Sequence, residues 1–288
     1  MAAASTAPEP GPVSKGTPVG LALVRDAEVL GAEPFFHEFI AGIERVLVPL
    51  GVPVLLQVVA TVPQAVERMR AWAQFGQVQG VILIDLLPGD ERVALVKQLG
   101  LPSVVIGDPV TAEGLPTVWT QDEVAMRAVV AELVAAGHTH LGHVGGPAQM
   151  AHTIIRRRTF EAVAAEHGVR TTSFDGDYSE AAGVRAVTAL AALDLRPTAL
   201  VFDNDIMALG ALHEAARLGL AVPAELSLVA WDDSALCQLA VPPLSAVSHD
   251  VQELGELVGS CLAEALSGAA PSTVRAAPAR LVVRDSSR

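Results

Sequence analysis

The strongest constraint on the fold is a repeated pattern in which a short apolar strand ends in acidic or amide residues. Residues 198–202 form the first such predicted strand, and Asp203-Asn204-Asp205 follow it directly. A helix is predicted over 205–218, and a second apolar strand, 226–231, ends at Asp232-Asp233. Continuous apolar runs are typical of parallel strands that are buried on both faces. Because ligands in open α/β sheets bind beyond the carboxyl ends of the strands, we expect both polar groups to lie in one crevice.

The same alternation of short apolar runs and longer amphipathic stretches extends over the rest of the chain, and it predicts a doubly wound α/β fold. The predicted strands lie near 18–24, 53–59, 78–84, 102–107, 140–145, 198–202 and 226–231. The predicted helices lie near 35–50, 63–75, 90–99, 121–136, 152–167, 179–193, 205–218 and 250–267. A chain of 288 residues can form one large α/β unit or two lobes.

The charge balance argues against unaided binding to nucleic acid or to an anionic membrane. The formal net charge is −13, and the only dense basic run is Arg156-Arg157-Arg158. An acidic surface repels phosphate groups. No stretch is long and apolar enough to span a bilayer, and residues 1–16 lack the features of a signal peptide and are predicted to be a disordered leader. Two cysteines without metal-ligand spacing are consistent with a cytoplasmic protein.

No set of residues in the sequence indicates catalysis, a cofactor or a metal site. His138, His140 and His143 are close in sequence, but strand alternation sends the last two to opposite faces, and no thiolate or carboxylate completes a ligand set. The glycines of 142–146 lack the dinucleotide-binding spacing, and no P-loop or nucleophile elbow is present. We therefore expect a binding protein rather than an enzyme.

Several motifs in the second half resemble the effector-binding core of the LacI/GalR family of bacterial transcription regulators. They are Asn204-Asp205 with Met207-Ala208-Leu209-Gly210, Leu218-Gly219-Leu220-x-Val222-Pro223, Trp231-Asp232-Asp233, Pro242-Pro243-Leu244, and the tail 281–287. The resemblance runs from about Val19 to Ser287 with order and spacing kept apart from small insertions.

The resemblance implies two similar doubly wound, parallel-sheet lobes (a periplasmic-binding-protein-like fold, type I) with a ligand cleft between them. The N-terminal lobe would comprise 17–119 plus 250–276, and the C-terminal lobe 120–249 plus 277–288. Three crossovers would join them near Thr117–Gln121, Ser248–Asp250 and Arg275–Pro278.

The resemblance also implies which residues line the cleft. Its ligand-contact positions fall on Phe35, Phe36, Asp108, His152, Arg156, Tyr178, Asn204 and Asp232. An aromatic ring suits the apolar face of a sugar or a purine, although one of the two phenylalanines is expected to anchor the core instead.

The remaining cleft positions supply polar groups. A guanidinium at Arg156 can grip paired hydroxyls or a carboxylate, whereas Asn204 beside Asp232 offers the mixed donors and acceptors that a polyol needs. Asp205 is expected to cap helix 205–218, and Asp203 is expected to add negative charge to the cleft. Ser179 can cap the next helix, so Tyr178 has a structural interpretation as well.

The leading functional hypothesis is therefore an effector-sensing domain of a LacI-type regulator that binds a sugar or related polyol, or alternatively a nucleobase. The chain is expected to form a homodimer and to contact DNA only through a helix-turn-helix head, which residues 1–17 do not resemble. A sugar-binding protein of an ABC importer is the first alternative, and an α/β enzyme, for example one built on Asp232 and His249, is the second.

Overall fold

The computed structural model describes residues 14–26, 30–31 and 33–287, and within them the chain forms two six-stranded sheets. We call the lobe around the first sheet the N-lobe and the lobe around the second the C-lobe. The predicted leader, residues 1–16, lies outside the described residues except for its last three.

The N-lobe sheet has the order β11-β5-β4-β3-β1-β2, with the pairings that the structure describes all parallel. Its strands are β1 (Val19–Val24), β2 (Val54–Val59), β3 (Gly80–Leu83), β4 (Ser103–Ile106), β5 (Thr117–Trp119) and β11 (Thr273–Arg275). Its helices are α1 (Phe35–Leu47), α2 (Val62–Gln74), α3 (Glu91–Leu99), the short α4 (Pro109–Ala112) and α10 (Val251–Leu266). A 3-10 turn, Val48–Leu50, follows α1.

The C-lobe sheet has the order β12-β10-β9-β8-β6-β7, and only β12 runs antiparallel to its neighbour. Its strands are β6 (His140–Gly145), β7 (Arg170–Asp175), β8 (Ala199–Phe202), β9 (Ser227–Trp231), β10 (Ser245–Ser248) and β12 (Arg280–Val282). Its helices are α5 (Asp122–Ala135), α6 (Ala151–Glu166), α7 (Glu180–Ala191), α8 (Asp205–Leu218) and α9 (Ala235–Leu239). Two parallel-sheet α/β lobes are thus confirmed.

The seven predicted strands are present, and the strands that sequence analysis missed lie toward the sheet edges. β7 exposes alternate polar residues, and β11 and β12 have three residues each. Such strands lack the buried apolar run that marks a central parallel strand. The predicted helix 35–50 ends at Leu47, where Pro49 follows within a 3-10 turn.

The connections between the lobes lie at the β5/β11 and β10/β12 edges of the two sheets. They run through Thr120–Gln121, 249–250 and 276–279. The Gln121 side chain donates from Nε2 to the carbonyl of Ala276 at 2.8 Å, so two of the crossovers are tied to each other. No helix within the described residues has the length and apolar character needed to cross a membrane.

Glycines allow the helices that carry the cleft residues to pack backbone against backbone. A Cβ at Gly183 of α7 would lie 1.8 Å from the carbonyl oxygen of Met207 in α8. In the N-lobe, a Cβ at Gly255 of α10 would lie 2.2 Å from the carbonyl oxygen of Phe39 in α1. The first turns of α1 and α8, which face the cleft, are therefore held by contacts that only glycine permits.

Candidate functional site

A cavity of about 870 Å³ lies between the two lobes, where strands of both sheets end. Both lobes and the crossovers contribute to its wall. The eight residues that the family resemblance indicated all line it: Phe35, Phe36, Asp108, His152, Arg156, Tyr178, Asn204 and Asp232. The fold thus brings together positions almost 200 residues apart, as the doubly wound topology requires.

Arg156, in the second turn of α6, is held by two carboxylates and an indole ring. Its Nε donates to Asp122 Oδ1 at 2.6 Å, and its Nη1 donates to the carbonyl of Asp203 at 3.2 Å. The guanidinium carbon lies 3.9 Å from the ring centroid of Trp231. Burial opposes the charge of Arg156, but Asp122 and Asp203 outweigh it and raise its pKa. Nη2 makes no hydrogen bond with the residues that the structure describes, so it is free to donate to a ligand.

The carboxylate of Asp203 pairs with Arg156 and does not present an uncompensated charge to the cleft. The fully buried carboxylate lies 2.9 Å from His143 Nε2 through Oδ1, and its Oδ2 accepts from the Gly146 amide at 2.9 Å. Burial by itself would raise the pKa of Asp203, but His143, Arg156 and the Gly146 amide lower it to about 2. The expectation of an added cleft charge is corrected, because Arg156 compensates that charge and the Gly146 amide binds it.

Asp232 presents a carboxylate that no protein donor satisfies within the described residues. It follows β9 with a φ of 68°, a left-handed conformation that aspartate tolerates better than most residues. Its nearest basic group is His249 Nε2, at 3.5 Å, and the side chain is 21% exposed. Burial raises the pKa of Asp232 to about 7, with the negative charges of Asp122 and Asp203 acting in the same direction.

Asn204, and not Asp205, caps α8. Its Oδ1 accepts from the amide of Met207 at 2.9 Å, and its Nδ2 donates to the carbonyl of Tyr178 at 3.0 Å. The prediction that Asp205 caps this helix is wrong, because α8 begins at Asp205 and its carboxylate accepts from the Ser234 hydroxyl. The Asn204 amide therefore lines the cavity while it fixes the local backbone.

Phe35 and Phe36 at the start of α1 have different surroundings. Phe36 is 3% exposed and belongs to the N-lobe core, whereas Phe35 is only partly buried. Phe35 stacks on Phe39 at a centroid distance of 5.6 Å and meets His249 edge-on at 6.1 Å. The expectation that one phenylalanine is a core anchor agrees with this arrangement, and Phe35 is the ring left on the cleft wall.

Tyr178 and His152 contact each other on the C-lobe side. The Tyr178 hydroxyl lies 2.6 Å from His152 Nε2, and the side chain is almost completely buried. Burial, followed by the charge of Arg156, lowers the pKa of His152, so a neutral imidazole is favoured. One face of the Tyr178 ring is covered by the guanidinium of Arg25, at 4.5 Å from the centroid. Ser179 caps α7 as predicted, by accepting from Ala182 N.

Asp108 lines the cavity from the N-lobe, where it caps the short helix α4. Its Oδ2 accepts from the amide and the hydroxyl of Thr111, at 3.3 and 3.4 Å. One carboxylate oxygen is thereby engaged in local structure.

Sequence analysis missed several cleft residues. They are Arg25, Glu33, Asp85, Asp122 and Trp231, all of which line the cavity together with His249, which was named only for the alternative of an enzyme. Arg25 directly follows β1, and Asp85 lies two residues after the end of β3. The rule applied to β8 and β9, that polar residues after a strand end line the crevice, therefore indicates them too. No group of His, Cys, Asp or Glu residues within the described part of the chain is arranged to hold a metal ion.

Comparison with known proteins identifies the family. Residues 130–287 match the family described as periplasmic binding protein-like domain. The HTH-type transcriptional repressor CytR of Escherichia coli (strain K12) is 30% identical over 262 residues, which cover 89% of this chain and 76% of CytR. The relatives are transcriptional regulators and not enzymes.

Solved structures agree in fold over nearly the whole chain. A LacI family regulator from Bifidobacterium animalis subsp. lactis superimposes with a TM-score of 0.87 at 28% identity, covering 95% of this chain and 98% of that one. The regulator CelR in complex with cellobiose gives a TM-score of 0.86 at 25% identity, covering 94% of this chain and 85% of that one. The chain therefore belongs to the LacI family of transcriptional regulators, with the effector-binding, periplasmic binding protein-like domain of that family.

Proposed function

We propose that this domain senses a neutral, hydroxyl-rich small molecule, a sugar or polyol, and that binding in the interlobe cavity controls operator binding by the regulator. The observation that carries the proposal is Asp232, a largely buried carboxylate that has no donor among the described residues, on the wall of a cavity shared by both lobes. A buried acceptor without a donor is costly. A ligand hydroxyl that donates to Asp232 removes that cost.

The charges around the cavity favour a neutral ligand over an anion. Arg25 and Arg156 are the central cations of the cleft, and both are already bound to carboxylates. Glu33, Asp85, Asp122 and Asp232 all line the same cavity. An anionic ligand would have to overcome this surplus, whereas hydroxyl groups can donate to Asp232 and accept from Arg156 Nη2.

The remaining contacts suit a ring with one apolar face. Phe35 offers a partly exposed aromatic surface from the N-lobe, and His249 lies between Phe35 and Asp232. Apolar C–H groups of a sugar pack well on such a surface. We propose that Phe35, Asp108, Arg156, Asp232 and His249 contact the ligand directly.

The other predicted site residues are proposed to shape the cavity. Phe36 packs in the N-lobe core, Asn204 caps α8, and Tyr178 with His152 forms the C-lobe wall. Each of these side chains has its polar or aromatic groups engaged by protein partners.

Two findings support a sugar over a nucleobase. The CelR structure of the same fold is a complex with cellobiose. The Trp231 ring has one face covered by Arg156, which leaves Phe35 as the main aromatic surface on which a ligand can stack. A nucleobase is the alternative ligand in the binding assay below.

The switch is proposed to work through closure of the lobes. A ligand that contacts Phe35 in one lobe and Asp232 in the other binds the closed arrangement better than an open one, and it shifts the population accordingly. Operator contact would be made by a helix-turn-helix head of the kind that the names of CytR and CelR state. We propose that the regulator acts in the cytoplasm. We also propose the lobe boundaries that the family resemblance implies, with 17–119 plus 250–276 in the N-lobe and 120–249 plus 277–288 in the C-lobe.

We also propose a homodimer, in which each protomer uses the open edge of its N-lobe sheet. β2 is the edge strand there, and its Leu55, Leu56 and Val58 are more than a third exposed, as are the nearby Val48 and Phe75. Exposed apolar edges are usually covered by a partner. Light scattering coupled to size exclusion of wild type and Leu56→Lys measures the state, and a monomeric wild type would contradict the proposal.

The ligand is tested by thermal shift and calorimetry against hexoses, pentoses, polyols, disaccharides, nucleobases and sugar phosphates. A native-state ligand at a concentration of 100 Kd stabilises the protein by about 2.7 kcal/mol. We expect a neutral sugar to bind wild type and to bind Asp232→Asn at least tenfold more weakly. Asp233→Asn is the matched control, because Asp233 is engaged by Arg284.

Two outcomes would contradict the proposal. Preferential binding of a sugar phosphate would exclude the neutral ligand, and equal affinity of wild type and Asp232→Asn would exclude the role of Asp232. Arg156→Ala is a poorer probe, because it would leave Asp122 and Asp203 buried without their cation, which typically costs about 3–5 kcal/mol.

A further inference from the structure

Arg25 lies between aromatic rings of the two lobes. It directly follows β1, and its side chain is 10% exposed. The guanidinium carbon lies 5.3 Å from the ring centroid of Phe36 in the N-lobe and 4.5 Å from that of Tyr178 in the C-lobe. The guanidinium of Arg25 therefore fills the space between Phe36 of the N-lobe and Tyr178 of the C-lobe.

Ionic contacts hold this guanidinium on the N-lobe. Arg25 Nε donates to Glu33 Oε2 at 3.1 Å, and Nη2 lies 3.4 Å from Asp85 Oδ2. Nη1 is buried and makes no hydrogen bond with any residue that the structure describes. Since both carboxylates belong to the N-lobe, the ring contact with Tyr178 is what Arg25 would lose if the lobes moved apart.

Other contacts join the lobes in the same region. The amide of Ala151, at the start of α6, donates to the carbonyl of Leu86 at 2.9 Å. His152 Nδ1 lies 3.9 Å from Asp85 Oδ1. These groups follow β3 in the N-lobe and β6 in the C-lobe, whereas the crossovers leave from the β5/β11 and β10/β12 edges. The contacts therefore lie away from the crossovers, where opening of the cleft moves the lobes furthest apart.

We propose that Arg25 is a positioning residue that stabilises the closed arrangement of the lobes through Tyr178, without contacting the effector. This inference rests on the proposed function insofar as closure is what the effector uses. The inference goes beyond the proposed function, because it assigns a role to Arg25, which is not among the proposed ligand contacts. We call the contact between Arg25 and the Tyr178 ring the interlobe bridge.

A residue that acts only through closure has a measurable signature. The apparent dissociation constant equals the intrinsic one divided by the fraction of binding-competent protein, so loss of the bridge weakens every ligand by the same factor. A residue that contacts the ligand weakens different ligands by different factors. For a partly desolvated cation–π contact of about 0.5–2 kcal/mol, the expected loss is about 2- to 30-fold.

The experiment compares wild type, Arg25→Met, Tyr178→Leu and the double variant, using at least two neutral ligands from the screen. Methionine keeps the apolar stem and removes the charge. Arg25→Met is expected to weaken all ligands equally, and the double variant is expected to be no weaker than the worse single variant. Tyr178→Phe, which keeps the ring, is expected to restore binding relative to Tyr178→Leu. Arg127→Met, which removes a half-exposed ion pair with Glu166, is the control.

Small-angle scattering of the ligand-free proteins separates this proposal from the previous one. Arg25→Met is expected to have a larger radius of gyration than wild type and Arg127→Met. The bridge would be overturned by an unchanged radius of gyration, by losses of affinity that differ between ligands, or by single-variant effects that add up in the double variant. If no neutral ligand binds wild type, the proposed function fails. The scattering result alone then decides whether Arg25 and Tyr178 hold the lobes together.

Discussion

The substitution Asp232→Asn is expected to stabilise the ligand-free protein while it weakens effector binding. The change removes one charge from a side chain that is 21% exposed and makes no hydrogen bond within the described residues. Asparagine has the same shape and also tolerates the left-handed backbone, whose φ here is 68°. The fold therefore loses a desolvated charge without a new void or backbone strain.

The size of the effect follows from the pKa of Asp232. Burial raises it from 3.8 to about 7. Since one pKa unit corresponds to about 1.36 kcal/mol, the ionised side chain costs at most about 4 kcal/mol, and partial exposure reduces this to about 2–4 kcal/mol. The charge of Asp232 also contributes to raising the pKa of Asp205, which burial brings to about 7, so its removal relieves a second carboxyl group.

The sign of the pH dependence is fixed by the direction of the shift. A carboxyl group whose pKa is raised on folding contributes stability below its unfolded pKa, near 3.8, and this contribution is lost as the pH rises through about 7. The advantage of Asp232→Asn over wild type should therefore be absent below pH 4, grow between pH 4 and pH 7, and stay constant above it. At pH 8 it corresponds to a rise in Tm of about 4–8 °C.

Urea unfolding of the ligand-free proteins at pH 4, 6 and 8 measures this difference in the free energy of unfolding. Asp233→Asn is the control, because its carboxylate is bound to Arg284 at 2.8 Å, and that variant should be destabilised. A pH-independent difference, or an Asp232→Asn variant less stable than wild type at pH 8, would refute the reasoning.

Three further predictions concern the support of the cleft. Gly183→Ala should lower the free energy of unfolding by about 1–3 kcal/mol, because a Cβ would lie 1.8 Å from the Met207 carbonyl; urea unfolding measures it, and an unchanged midpoint would contradict the packing. Asn204→Ala should cost at least about 1 kcal/mol by the same measurement, because it removes the cap of α8; a loss below the fitting error would argue against the cap. Asp203→Asn should remove about 2 kcal/mol of stability at pH 7, because the pKa of Asp203 is lowered from 3.8 to about 2. That stabilisation is present above pH 4 and is lost as the pH falls toward 2, so equal acid unfolding curves of wild type and variant would contradict it.

Local sequence patterns predicted the central strands, most helices and the meeting of strand ends in one crevice. Continuous apolar runs and helix-ending glycines are properties of short segments, so they can be read without knowing what the segments contact. Five strands at or next to the sheet edges escaped. β5, β10, β11 and β12 have only three or four residues, and β7 is largely exposed, so none of them has a long buried apolar run. The two-lobe arrangement came from the family resemblance and not from the pattern alone.

The sequence by itself determined that acidic and amide side chains follow β8 and β9 and that the chain alternates strand and helix throughout. Only the tertiary structure decided which of these side chains remain free. Asp203 lies within hydrogen-bond distance of His143, 60 positions away, and Arg25 meets Tyr178 across the cleft, whereas Asp232 has no donor among the residues that the structure describes. Hydrogen-bond and charge partners in a doubly wound fold come from different strands and different lobes. The state of each polar group therefore depends on the packing of distant segments, which no local pattern contains.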